Sequence, residues 1–277
     1  MSHQARDSHR SASAFSWRKA SFRVLVVLGV VLAAGQTASG LTINLTQDGG
    51  NAEFAAVVEA AAAHWESFIL DDFEVPITYR LFSLGPGVTA VTNMGGTSGP
   101  PPRPVGATIL FNQDVSWFID PTPEEHSEFS TYEEFTMDFG GGEINAGRVY
   151  SGASLGGWDL LSTAIHEMGH ALGFDPNLAA AGAEIADGDV DITAPRPHAG
   201  SSIPTRNQTH LNVNTASMWP FAQSNKRILL SDADVLTIAQ VCQFEQVVSV
   251  PEPATWMLLL GGTVCMLSGR RRRRLAA

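Results

Sequence analysis

The segment Leu161-Ser162-Thr163-Ala164-Ile165-His166-Glu167-Met168-Gly169-His170-Ala171-Leu172-Gly173-Phe174 constrains this chain more than any other. At about 3.6 residues per turn, a helix here puts His166 and His170 on one face, one turn apart, where two imidazoles can converge on a single metal ion. Glu167 lies beside them, able to take a proton from an attacking water. Leu160, Leu161, Ala164, Ile165, Met168, Ala171 and Leu172 give the helix a packing surface, and Gly173 can end it. The chain has 8 histidines, and chance rarely sets two of them at helical spacing around a Glu in an apolar segment. A buried ionisable trio with no ion would also carry a desolvation cost that proteins seldom leave uncompensated.

The surrounding pattern predicts an α+β domain in which a mixed N-terminal sheet carries a packing helix. Leu41 to Thr46 alternates apolar and polar residues as a strand, and Ala52 to Leu70 carries Phe54, Val57, Val58, Ala61, Trp65, Phe68 and Ile69 at helical spacing. His64 in that helix is read as a surface or packing residue. Val75 to Leu84 and Ala107 to Asn112 read as further strands, joined by a Gly/Pro-rich loop at 85 to 106 too long and polar to belong to the core. Asp120 to Gly142 is acidic and aromatic and reads as a solvated surface segment, with a strand over Glu143 to Tyr150 after it. Beyond the metal-binding helix, Ala183 to Thr193 is expected as a hairpin turning at Asp187-Gly188, followed by a loop at 194 to 209. The spacing Asp187, Asp189, Asp191 also offers a calcium (Ca²⁺) reading, weakened by the missing later Gly and Glu positions of an EF-hand loop. Ser231, with Asp232 and Asp234 behind it, begins a last helix to Val241.

A catalytic zinc (Zn²⁺) site takes three protein ligands and leaves a fourth position for water, so a third donor has to come from elsewhere. In the compact template H-E-x-x-H-x-x-G-x-x-H the glycine is present as Gly173, but Pro176 occupies the third histidine position. Asp175, Glu184, the aspartates at 187 to 191, His198 and His210 remain as candidates. The sequence resembles the metzincin metallopeptidases, and among them the leishmanolysin-type arrangement: His166-Glu167-x-x-His170 followed by Leu172-Gly173-Phe174, an insertion, then His210 and a turn containing Met218. That resemblance implies a two-lobed metallopeptidase domain over residues 41–248, with a mixed N-terminal sheet and an irregular C-terminal lobe ending in a helix. It implies His166, His170 and His210 as zinc ligands, Glu167 as catalytic base of a zinc endopeptidase acting on peptide or protein substrates, and Met218 as an apolar floor below the metal. Trp219-Pro220-Phe221 departs from the family, which often has a tyrosine just after the methionine. The competing expectation is a non-catalytic surface or matrix protein with this fold and a structural zinc.

The ends of the chain carry its addresses. Residues 1–40 are basic, then apolar (Val24 to Ala34), then small, in the order of a cleaved secretory signal peptide. Residues 249–277 hold Pro251-Glu252-Pro253, an apolar run of 16 from Ala254 to Gly269, and arginines 270 to 274. A short span backed by dense positive charge acts as a stop-transfer element and is expected as a transmembrane anchor in the inner membrane. This tail resembles the PEP-CTERM sorting signal of Gram-negative bacteria. The resemblance implies exosortase as a partner, cutting near Pro251 to Pro253, and delivery to the cell surface or extracellular matrix. Between Leu41 and Val250 stand 7 basic and 26 acidic residues, which excludes the clustered cations that nucleic acid binding requires. Of the two cysteines, Cys265 lies in the apolar tail, so no disulfide with Cys242 is expected.

Overall fold

The computed structural model describes residues 40–250; the expected signal-peptide segment before residue 40, the expected cut near Pro251 to Pro253 and the apolar tail lie outside the described residues. Strand β1 (Leu41–Gln47) is followed by α1 (Ala52–Glu66), whose start is fixed by the Asn51 side chain accepting the Phe54 N–H at 2.9 Å. The helix stops at Ser67, short of the predicted Leu70, and Ile69 instead forms a bridge to Val247. Strand β2 (Phe73–Phe82) runs parallel to β1, as a helical crossover requires.

The segment expected as a free loop contains β3 (Ala90–Met94) and a small ladder of β4 (Thr97–Ser98) with β5 (Arg103–Pro104). β3 pairs antiparallel with β6 (Ala107–Asn112), and Ala90 and Met94 pack on the core. Five residues, alternately half-buried and exposed, carry too little apolar signal to stand out from their glycine-rich flanks. β6 in turn runs parallel to β2, giving the order β1-β2-β6-β3, with β3 at the edge.

After β7 (Trp117–Phe118), the acidic segment forms β8 (Thr131–Asp138), an exposed strand paired antiparallel with β9 (Glu143–Ser151). It is not wholly solvated: Asp120 is 3% exposed and turns inward. β10 (Trp158–Asp159) leads directly into α2 (Leu160–Ala171), and the Ala-rich stretch after it forms α3 (Ala179–Glu184). The expected hairpin is therefore corrected. Gly188, at φ +104°, turns the chain from α3 into β11 (Asp189–Asp191), which pairs with β12 (Ser202–Arg206) from the supposed second loop. β13 (His210–Leu211) extends that sheet, and β14 (Arg227–Leu229) pairs with β9. The last helix, α4 (Asp232–Val241), has the expected Ser231 cap, completed as a box by Asp234.

One apolar core runs from Leu41 to Val250 through the sheet, α1, α2 and α4. Trp65 of α1 is fully buried and its indole N–H donates to the Ile165 carbonyl at 2.9 Å, tying α1 to the middle of α2. Among the described residues no helix is long and apolar enough to cross a membrane.

Candidate metal centre

Helix α2 is held at both ends. At its start Asp159 accepts the Ser162 N–H at 3.0 Å and receives the buried Arg227 guanidinium at 2.9 Å. At its end Gly173 adopts φ +119°, a conformation costly for any residue with a Cβ, and this turn brings the Phe174 carbonyl back over His170. The apolar positions of the motif, Leu160 to Leu172, are fully buried, leaving Ser162, His166 and His170 in a row on the one open face.

Three imidazoles meet there. His166 Nδ1 lies 2.7 Å from the Ser217 carbonyl, His170 Nδ1 2.9 Å from the Phe174 carbonyl, and His210 Nδ1 2.7 Å from the Thr209 hydroxyl. A carbonyl only accepts, so for His166 and His170 the proton is assigned to Nδ1 and the lone pair to Nε2. Those two Nε2 atoms face each other at 3.2 Å. Two lone pairs at that distance repel, so the contact is not a hydrogen bond between neutral rings. It does match the roughly 3.3–3.4 Å edge of a tetrahedral zinc held at about 2.0–2.1 Å per nitrogen. One ring nitrogen of His210 joins them, with all three donor atoms within 4.8 Å of one another. Burial, with the neighbouring His166 adding to it, pushes His170 well below the usual histidine range and His210 down to about 3. His170 and His210 are thus neutral at physiological pH, as ligands must be.

Glu167 is 5% exposed. Burial raises its carboxyl, opposed by His166 and by the Thr92 hydroxyl, which donates to Oε2 at 2.6 Å. Thr92 belongs to β3, so the edge strand is tied to the helix through the acid itself. A carboxyl lifted toward neutrality beside a polarising centre is suited to accepting and returning a proton.

The loop around Met218 holds the rest. Asp234 Oδ2 accepts from Ser217 N at 3.0 Å and Ser231 N at 2.9 Å, while Oδ1 accepts from Met218 N at 2.8 Å. The Met218 carbonyl takes the Leu211 N–H at 2.9 Å, which fixes the strand that carries His210. Met218 is fully buried, its sulfur against Gly169 between the two helical histidines. Sequence reasoning singled out neither Thr92, Thr209 and Ser217 nor Gly169, and it read Asp234 only as a helix-start acid. The other candidate ligands lie apart from the three histidines. Asp175 lines the cleft, and Glu184 accepts the Asp191 N–H. His198 sits in a left-handed turn at φ 55°. Asp187, Asp189 and Asp191 gather carboxylates within 4.8 Å of one another, separately and largely in solvent.

The centre opens into a cleft of about 450 Å³, bordered by β3, α2 and residues 217 to 228. The chain matches the PEP-CTERM protein-sorting motif at residues 249–274. That motif indicates export and sorting to the cell surface through exosortase. Among curated proteins none matches the chain.

Proposed function

We propose that this exported protein is a zinc-dependent endopeptidase with a metzincin-like, two-lobed domain of leishmanolysin-type ligand order. The observation that supports it best is the opposed Nε2 pair of His166 and His170, each oriented by a backbone carbonyl, with His210 as third donor and Glu167 adjacent. Zinc, when bound, polarises a substrate carbonyl and lowers the pKa of a water to about 7. Glu167 accepts the proton of the attacking water as its oxygen bonds to the carbonyl carbon. The carbon–nitrogen bond then breaks and Glu167 passes the proton to the departing amine. Thr92 holds the carboxylate in place during both transfers. β3 ends its sheet among the described strands, so its outer backbone groups are available to pair with an extended substrate.

The alternative is a non-catalytic surface protein with a structural zinc, which calls for a fourth protein ligand. The convergent group among the described residues contains three histidines, which favours an open position. Casein hydrolysis by the purified zinc-loaded chain separates the two. Glu167→Gln is expected to retain zinc and lower the rate by roughly 10²- to 10⁴-fold. Equal rates for parent and variant, or none for the parent, would sink the endopeptidase reading.

A further inference from the structure

The described body is strongly acidic, and most of its few cations are already engaged. Arg80 pairs with Asp48, Arg103 with Asp71, and Arg227 with Asp120, Glu128 and Asp159. Arg148 is half-buried and donates to the Leu230 carbonyl, Arg196 is buried against the Gln240 amide oxygen, and the exposed Arg206 stacks on Trp219 and Phe221. Lys226 differs from all of these. Among the described residues no carboxylate lies within ion-pair distance of its ammonium, and it lines both the catalytic cleft and an adjoining cavity bordered by Glu133.

Its position there is set. The Lys226 Nζ donates to Gln223 Oε1 at 2.8 Å, and the Gln223 amide nitrogen in turn donates to the Asn214 carbonyl at 3.0 Å. Two residues on, the Ile228 N–H donates to Ser162 Oγ at 2.8 Å, which puts this segment against the first turn of α2. Ser162 lies one turn before His166 on the open face, about 6 Å along the axis. The segment that carries Lys226 therefore borders the cleft one helical turn from the first histidine. Asp175, just beyond the C-terminal end of α2, lines the same cleft.

We infer that the cleft selects substrates with an acidic side chain next to the scissile bond, held by Lys226. This rests on the endopeptidase reading for the word scissile, but the recognition itself is a binding property. A carboxylate replacing water on a half-buried ammonium gains a charge-assisted hydrogen bond, equivalent to roughly 10- to 100-fold in affinity or kcat/KM.

Paired peptides carrying Glu or its isostere Gln at each position flanking the cleavage site test it in two readouts. With the parent, kcat/KM for the Glu peptide is expected to exceed that for the Gln peptide by roughly 10- to 100-fold. With Glu167→Gln, which turns peptide over far more slowly, the same preference appears in Kd by fluorescence anisotropy and shrinks as salt is raised. Adding Lys226→Met brings both ratios to near one, and Lys226→Glu turns the preference toward a Lys peptide. Hydrolysis with no Glu preference at any position overturns the inference and leaves the endopeptidase reading standing. Selective binding without hydrolysis does the reverse, and a preference that survives Lys226→Met overturns the assignment to Lys226.

Discussion

Gly169 shows how much a single hydrogen decides at this centre. It sits between the histidines of α2 with the Met218 sulfur pressed against its Cα, and a Cβ built there would overlap that sulfur. Gly→Ala in an ordinary exposed helix stabilises by about 1 kcal/mol. Here Gly169→Ala is expected to destabilise by about 1–3 kcal/mol through overpacking, and to weaken zinc binding because Met218 carries the strand of His210 through its carbonyl. Thermal unfolding with and without zinc measures both effects. The residues proposed to do the chemistry stand out in the sequence where they are local: His166, Glu167 and His170 are one helical turn with one apolar face. Two of their hydrogen-bond partners were not, because Ser217 reaches His166 and Thr92 reaches Glu167 across 51 and 75 residues. A Ser, a Thr or a Gly carries no signal of such a role in its own neighbourhood.

At the scale of elements, helix ends do most of the positioning. The start of α4 grips the Met218 turn through Asp234, and the start of α2 is gripped by Asp159, which shares Arg227 with Asp120 and Glu128. Arg227 is fully buried, so removing it leaves three carboxylates around a site from which their counter-charge has gone. Arg227→Met is expected to cost about 3–5 kcal/mol. Arg227→Lys should recover little, since an ammonium cannot reproduce the fork that spans three acids. Urea unfolding of the three proteins checks this, and a Lys variant as stable as the parent would contradict it. The helices α1, α2 and α4 were readable from periodicity and caps. β3 and β12 were not, because each is short, half-exposed and stabilised by pairing rather than by its own composition; the turn at Gly188 was readable, but with a strand rather than α3 before it.

On the scale of the whole molecule, the fold runs to the edge of its sorting signal. Asp71 accepts the N–H groups of Glu245 and Gln246, Asp232 accepts that of Val250, and Val250 is 4% exposed, so the packed body meets the motif that begins at residue 249. The same core sets an acid limit. Burial, reinforced by Arg148, lowers His64 to about 4, and burial with Arg227 lowers His126. Below about 6.5 the unfolded chain binds these protons and the folded one does not, so stability is complete above that pH and falls as pH drops toward 4. Tm against pH for parent and His64→Gln reads this directly. The variant is expected to lose less Tm between pH 6.5 and 4, and identical slopes would remove His64 from the account.

Competitive Zn²⁺ titration of the parent beside His210→Ala and His198→Ala tests the three-histidine centre most directly. One tightly held zinc per chain, weakened by more than about 100-fold in His210→Ala and unchanged in His198→Ala, is the predicted result. Zinc bound as tightly without His210 as with it would contradict the centre on which the proposed chemistry depends.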